Sequence, residues 1–387
     1  MNERSIFLSA GEASGEHYGA LLIEELKRRL PGARFFGMGG ARMEALGCER
    51  IVKSEDVAVM GITEVVRHLP RIYREYRKLR NSIRSRRPSV AVLIDFPDIH
   101  LKLAEELHRL GIPVIFFVSP QLWAWKKRRI HRVQRYVDRM LVIFPFEEPF
   151  YRERGVDATY VGHPLADIPL PAISRIDFAA LHGLNPESTW IGLLPGSRAR
   201  EIRFNLPEML AAAQLLSTQS SGMQFLLPLA PTLTAAHRLA VQRMLHEYAS
   251  TISIHLIEDA RGALRHARAS IVASGTATVE AALMGNPFVV VYRVSPLTYA
   301  IARRVVTVPH VAMVNLVAEM RVVPELIQGE FTAEKIVEHL APLLPDGEPR
   351  SEMIRGLRQV GEKFNASKNP GETAIARVAA IVVEALR

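Results

Sequence analysis

The chain has a single cysteine, Cys48, among 387 residues. That excludes a disulfide framework and suits a reducing compartment, with Cys48 read as a buried apolar filler. No uninterrupted apolar stretch approaches the roughly 18 residues a spanning helix requires; the longest candidates, around 112–118 and 288–292, are strand-sized. The first residues run straight into a short apolar strand, without the apolar core and cleavage site of a secretory signal. The expectation is a cytoplasmic protein whose membrane contact is peripheral. No Walker A sequence is present, Gly37-Met-Gly39-Gly40-Ala-Arg42 lacks the third glycine of a dinucleotide fingerprint, and Gly11 and Gly15 are wrongly spaced for one, so a nicotinamide-dependent oxidoreductase is poorly supported. No two aspartates stand as D-x-D, and the thirteen histidines form no ligand pattern. Neither a metal nor a cofactor is therefore expected.

What is present is positive charge. The formal net charge is +9 and the pI near 9.8, which calls for an anionic partner: nucleic acid, a phospholipid surface or a phosphorylated substrate. Between Arg67 and Arg87 there are nine Lys or Arg and one acid, Glu75, while Val66, Leu69, Ile72, Tyr73, Tyr76, Leu79 and Ile83 recur at helical spacing. This is a basic amphipathic helix, either core-packed with a solvated face or part of a surface-binding unit. Just before it, Val57-Ala-Val59-Met60-Gly-Ile62 would sit awkwardly in water and comfortably in a lipid interface. A second run, 126–139, follows Trp123-Ala-Trp125 and holds seven Lys or Arg against Asp138. Bases could stack beside such cations, yet no RNA-module signature appears, and nucleic acid is not the expected partner.

A chain of this length is expected to form two domains. Strands read at 5–10, 34–37, 89–95, 113–118 and 140–143 alternate with helices at 16–30, the basic helix, and 100–110, which is the pattern of a parallel sheet covered on both faces. The proline-rich segment 162–171 reads as a linker. A second alternation begins at Trp190 and continues through strands at 224–228, 252–256, 269–273 and 288–292. The expected fold class is therefore α/β, with two Rossmann-like doubly wound domains at 1–165 and 172–345 facing a cleft, and a helical C-terminal tail at 346–387. The stripe Ile375, Val378, Ala379, Val382 and Leu386 in that tail needs a covering surface, either the first domain or a second protomer.

Two junctions in the second domain suit phosphate. Residues 271–287 run from a β-branched strand through Ser274-Gly275-Thr276-Ala277 into a helix carrying Glu280. A helix N-terminus offers unpaired N–H groups, small residues admit an anion, and a carboxylate a turn later can accept two ribose hydroxyls. The same pattern is also that of an ordinary strand-loop-helix, with Glu280 merely complementing the dipole. Upstream, a buried strand ends in Pro195-Gly196-Ser197-Arg198. Ligands of parallel sheets sit beyond the carboxyl ends of the strands, so both loops can face one diphosphate, with Arg198 as its positive fork. In the first domain, Ser89-Val-Ala-Val-Leu-Ile-Asp95 delivers Asp95 at a strand end, before Pro97 turns the chain away. Such a carboxylate, set in a cleft, can take a proton from an attacking hydroxyl. Asp98 reads rather as a cap of the following helix.

These motifs, in order, resemble those of the lipid-A-disaccharide synthase family over essentially the whole chain: Ala10-Gly-Glu12-Ala-Ser14-Gly15, Val59-Met60-Gly-Ile-Thr-Glu64, Asp95-Phe-Pro-Asp98, Ser119-Pro-Gln-Leu-Trp123-Ala-Trp125, Gly162-His-Pro164, Leu194-Pro-Gly-Ser-Arg198, Ser274-Gly-Thr-Ala277 with Glu280, and Asn315. One departure is Glu16, where the family usually shows aspartate. The resemblance implies a GT-B inverting glycosyltransferase that joins UDP-2,3-diacylglucosamine to 2,3-diacylglucosamine 1-phosphate, giving a β-1,6-linked disaccharide and UDP at the inner leaflet of an anionic membrane. It implies Asp95 as the essential aspartate and Arg198, Glu280, Asn315 and Gln328 as donor-site residues. With the loop reading, the donor site comprises Gly196, Ser197, Arg198, Leu256, Ile257, Ser274, Gly275, Thr276, Ala277, Glu280, Asn315 and Gln328, the uracil resting on backbone near Leu256 to Glu258. Glu12, Ser14, Val59, Met60, Trp123 and Trp125 are the candidates for acceptor or membrane contact. A homodimer through the C-terminal helices is a further expectation. The alternatives are another UDP-sugar enzyme, such as a UDP-N-acetylglucosamine 2-epimerase or a lipid-linked cell-wall transferase, and a basic RNA-binding protein.

Overall fold

The computed structural model describes residues 4–57, 62–125, 127–231, 233–248, 251–306, 308–365 and 371–386. The chain divides into two compact units, residues 1–167 with 364–387, and residues 168–363.

The first unit is built on seven strands: β1 (Ser5–Ala10), β2 (Arg34–Gly39), β3 (Cys48–Lys53), β4 (Val90–Ile94), β5 (Val114–Phe117), β6 (Arg139–Val142) and β7 (Ala158–Tyr160). They pair in parallel in the order β3-β2-β1-β4-β5-β6-β7. Every residue of β4 and β5 is buried, because helices cover both faces. That is why these strands are continuous apolar runs rather than alternating ones. Order runs outward in both directions from the β1–β4 pair, which is the point where a doubly wound sheet opens a crevice beyond its strand ends.

The second unit repeats the plan with β8 (Thr189–Leu194), β9 (Met223–Pro228), β10 (Ile254–Ile257), β11 (Ala269–Ala273), β12 (Phe288–Tyr292) and β13 (Glu325–Ile327). The order is β10-β9-β8-β11-β12-β13, all parallel, with the crevice-forming reversal at β8 and β11.

Three expectations change. Segment 162–171 is not a free linker at its start: His163, Pro164 and Leu165 are buried, and the His163 N–H donates to the Phe364 carbonyl at 2.9 Å. The His163 ring packs against Phe144 and Phe364, and burial lowers its pKa to about 3. Nor is the tail a single element. Helix Glu348–Phe364 clusters with the second unit up to residue 363, since Met353, Leu357 and Val360 are buried there and Arg350 donates to the Arg268 and Leu343 carbonyls. Only 364–387 joins the first unit, where the Ile375, Val378, Ala379 and Val382 stripe of helix Ala374–Glu384 is buried against helix Ala13–Arg29 of the same chain. Third, Asp98 does not cap its helix. The cap position belongs to Phe96 with Pro97 behind it, and exposed Asp98 pairs with Arg129.

The basic helix spans Ile62–Arg86, with Pro70 inside it. Leu79 and Ile83 are buried and Ile72 and Tyr76 pack against the same core, so this part of the apolar stripe faces inward, while Tyr73 is exposed. Much of its charge is already paired: Arg71 with Asp56, Arg74 and Lys78 with Glu75, Arg84 with Glu106, and Arg86 with Glu49. Among the described residues no helix is long and apolar enough to cross a membrane, and no cluster of three His, Cys, Asp or Glu could hold a metal ion.

Candidate active site

In the second unit, β8 ends at Leu194 and the chain turns through Pro195 to Arg198 into helix Ala199–Gln219. Gly196 sits at φ +116°, and a Cβ there would stand 2.5 Å from Glu201 Oε2, so the turn requires glycine. Glu201 folds back over the loop: its Oε2 accepts from the Ser197 N–H at 3.0 Å and the Arg198 N–H at 3.2 Å. Arg198 reaches Glu201 Oε1 at 3.4 Å, and half of its side chain remains exposed. Beneath the loop, fully buried Asn205 donates to the Pro195 carbonyl at 2.9 Å and accepts from the Arg293 N–H at 3.2 Å.

The neighbouring strand β11 leads through Ser274 and Gly275 into helix Thr276–Leu283. Gly275, at φ +144°, occupies the cap position, and no side chain caps the helix. The Thr278 hydroxyl donates to the Gly275 carbonyl at 2.8 Å rather than to a ligand. Small residues and an N-terminus with no side-chain cap, with Gly275 and Thr276 exposed, form a geometry that can receive an anion. Glu280 lies one turn further on, half-buried. Burial raises its pKa; nearby Arg261 opposes the rise and Asp259 adds to it. Ser274 Oγ donates to the Val311 carbonyl at 3.4 Å, which ties the cradle to the segment before Asn315.

Asn315 is buried and its amide is fully engaged. It donates to the Val323 carbonyl and Glu325 Oε1 at 2.9 and 2.8 Å, and accepts from the Val322 and Val323 N–H groups at 2.8 and 3.0 Å. Glu325 also accepts from the Val311 and Ala312 N–H groups, each at 3.0 Å. Asn315 thus shapes this region through the backbone. Gln328, at φ +54°, clamps residue 294 in the same way, accepting from the Val294 N–H at 2.7 Å and donating to its carbonyl at 3.1 Å. At the end of edge strand β10, Leu256 is exposed and Ile257 is buried, with the Ile257 carbonyl taken by the Leu229 N–H.

In the first unit the crevice loops follow β1 and β4. Asp95 and Phe96 leave β4 as consecutive left-handed residues, φ +52° and +51°, an arrangement that side chains other than glycine resist. Asp95 is half-buried, and its N–H donates to the Phe117 carbonyl at 2.9 Å. On the β1 side, a Cβ on Gly11 would fall 2.4 Å from the Phe96 ring, so only glycine lets the two loops meet. Half-buried Glu12 holds the cap position of helix Ala13–Arg29 without a side-chain capping bond, and Ser14 is exposed. Glu16 accepts from the Arg42 N–H at 2.9 Å, which gives the longer carboxylate a defined partner at the next helix.

The Ser119–Trp125 loop follows β5. Trp123 is buried and donates to Glu147 Oε1 at 3.0 Å; Trp125 is exposed. Glu147, fully buried, also accepts from Ser119 Oγ at 2.6 Å and the Phe144 N–H at 3.1 Å. Burial pushes its pKa up to about 7 against these donors. Neither Glu147, Glu201 nor Asn205 was a sequence candidate, since each acts across a turn or between strands. The one local signal is Glu201 three residues after Arg198, the spacing of a capping box with Arg198 at the cap. Val59 and Met60 lie outside the described residues.

A profile of the lipid-A-disaccharide synthetase family matches residues 6–379. The chain belongs to that family. It is 62% identical to a lipid-A-disaccharide synthase of Acidobacterium capsulatum over 394 residues, covering 99% of this chain and 96% of the relative. The corresponding enzyme of Koribacter versatilis is 48% identical over 379 residues, covering 98% and 97%. Among solved structures, the glycosyltransferase of kitacinnamycin superposes with a TM-score of 0.65 at 15% identity, each chain covered in full. A UDP-N-acetylglucosamine 2-epimerase from Neisseria meningitidis bound to UDP-GlcNAc gives 0.61 at 13%, covering 99% of both chains. These likenesses carry the fold, that of GT-B enzymes.

Proposed function

We propose that the second unit holds UDP-2,3-diacylglucosamine by its diphosphate and that the first supplies the base for attack by 2,3-diacylglucosamine 1-phosphate. Family membership makes the protein a glycosyltransferase of lipid A synthesis. The observation that carries the site reading is the uncapped N-terminus of helix Thr276–Leu283, with Glu280 one turn in, beside the Gly196–Arg198 loop at the strand-order reversal. Backbone N–H groups and Arg198 stabilise the departing diphosphate, and Glu280 accepts from the ribose hydroxyls. The acceptor hydroxyl attacks the anomeric carbon in a single inverting displacement, passing its proton to Asp95 as the bond to UDP breaks. The cationic helix, with the apolar segment before it, rests on the anionic leaflet where both lipids reside. In this reading the protein is a peripheral enzyme on the cytoplasmic face. A homodimer through the C-terminal helices draws no support from a stripe already covered within the chain.

UDP release measured with the diacylglucosamine donor tests this reading. Release should require the phosphoglycolipid acceptor and give the disaccharide 1-phosphate. Acceptor-independent conversion of UDP-N-acetylglucosamine, giving a 2-epimerised sugar, would instead indicate an epimerase.

A further inference from the structure

His100 is wholly buried, five residues beyond Asp95 on the first turn of helix Pro97–Arg109. Its Nδ1 stands 2.5 Å from the Asp95 carbonyl oxygen. A carbonyl only accepts, so Nδ1 carries the proton. The other nitrogen, Nε2, is then the acceptor of a neutral ring, and Ser9 Oγ, at 2.8 Å, is its donor. Burial holds the ring in that neutral form, lowering its pKa to about 4. The ring also meets Phe96 edge-on on one side and Phe116 on the other, at 5.8 and 6.1 Å between centroids. Phe96 in turn leaves room only for Gly11 on the β1 loop.

The turn that carries Asp95 is strained. Two successive non-glycine residues at positive φ persist only where the surroundings over-determine them. The single imidazole supplies that determination: one nitrogen holds the carbonyl of the strained residue, the other is anchored on β1, and the ring packs against Phe96. Ser9 and His100 are 91 residues apart, so the anchor joins the two strands that flank the crevice.

We propose that His100, oriented by Ser9, is a positioning residue for the reaction, holding the left-handed Asp95–Phe96 turn so that the Asp95 carboxylate keeps its catalytic placement. This rests on the reading of Asp95 as the base. The ring itself touches no substrate and transfers no proton.

Steady-state kinetics with both glycolipid substrates, UDP binding by calorimetry and thermal melting test it on the full-length protein. His100→Leu should lower kcat about 10- to 100-fold with the KM for each substrate and UDP affinity within about twofold of wild type. His100→Asn places an amide N–H where Nδ1 donates and should recover most of that loss, whereas His100→Gln reaches toward Ser9 but not toward the Asp95 carbonyl and should not. If His100→Leu fails to fold, the Asn and Gln variants carry the comparison. Equal kcat in those two, or a folded His100→Leu enzyme with wild-type kcat, overturns the proposal. Asp95→Asn is measured beside them: a collapse of kcat there with an active His100→Leu refutes only the positioning role, while a fully active Asp95→Asn enzyme refutes the base and the positioning role with it.

Discussion

Glu280, proposed as the acceptor of the ribose hydroxyls, would couple ligand binding to its own ionisation. Its carboxyl is held above the usual carboxylate range by burial, yet ribose hydroxyls donate only to an acceptor, and most strongly to the ionised form. UDP binding and ionisation are therefore linked, so UDP affinity should fall as the pH is lowered through the carboxylate range. Glu280→Ala should weaken UDP by about 1–3 kcal/mol and abolish that pH dependence. Calorimetry across pH 4–8 measures both, and wild-type affinity in the variant would remove Glu280 from the donor site. Asn315 and Gln328 should behave differently. Their amides are consumed by backbone partners, so Asn315→Ala should cost melting temperature together with UDP affinity. Loss of affinity at unchanged stability would show that the amide meets the ligand directly.

Among the elements, helix Ile62–Arg86 presents the sharpest choice between a solvated face and a membrane face. Its exposed pairs, Arg71 with Asp56 and Arg86 with Glu49, do not decide against lipid, because such pairs contribute only about 0–1 kcal/mol each and are exchanged readily for phosphates, whereas the cations paired with buried Glu75 and Glu106 stay engaged. A cation near an anionic surface contributes about 1 kcal/mol. Arg77 is exposed and, among the described residues, has no ion-pair partner. Arg77→Glu should therefore lower partition onto anionic vesicles about tenfold or more at low salt, and raising the ionic strength should weaken binding of the wild type. Sedimentation unchanged in both cases would leave this helix a solvated face. The same scale shows what the sequence made legible. Strands β1, β4, β8, β11 and β12 are largely apolar runs, and they are expected within a residue or two of where they lie. Strand β3 was missed because, as an edge strand with exposed Glu49 and half-exposed neighbours, it carries no continuous apolar run. Strands β7 and β13 have three residues each, too few to show a period. The loops after β8 and β11 and the aspartate after β4 were legible because small residues and prolines punctuate them. The groups that hold those loops were not: His100 meets Ser9, and Glu147 meets Ser119, only once the sheet is wound.

At the scale of the whole molecule, buried titratable groups make stability depend on pH. His100 and His163 have folded pKa values of about 4 and 3, below the ordinary 6.5, so the stability they contribute is present above that value and is lost as pH falls toward 4. Glu147, raised from 4.5 to about 7, acts oppositely: its contribution is full below 4.5 and fades as pH rises through 7. Each group changes stability by about 1.4 kcal/mol per pH unit within its window. Between about pH 4.5 and 6.5 the two histidines outweigh the one glutamate, so these groups together should destabilise the protein on acidification, and Glu147→Leu should steepen that loss. Denaturant melts at a series of pH values check the sign. The central claim is a division of labour, with chemistry in the first unit and donor binding in the second. Asp95→Asn keeps the shape of the side chain but cannot accept the proton, and its kcat in a detergent-solubilised assay, read beside its UDP affinity, tests that division most directly. A fall in kcat of about 10²- to 10⁴-fold with UDP affinity unchanged is the expected result; normal turnover would contradict the account.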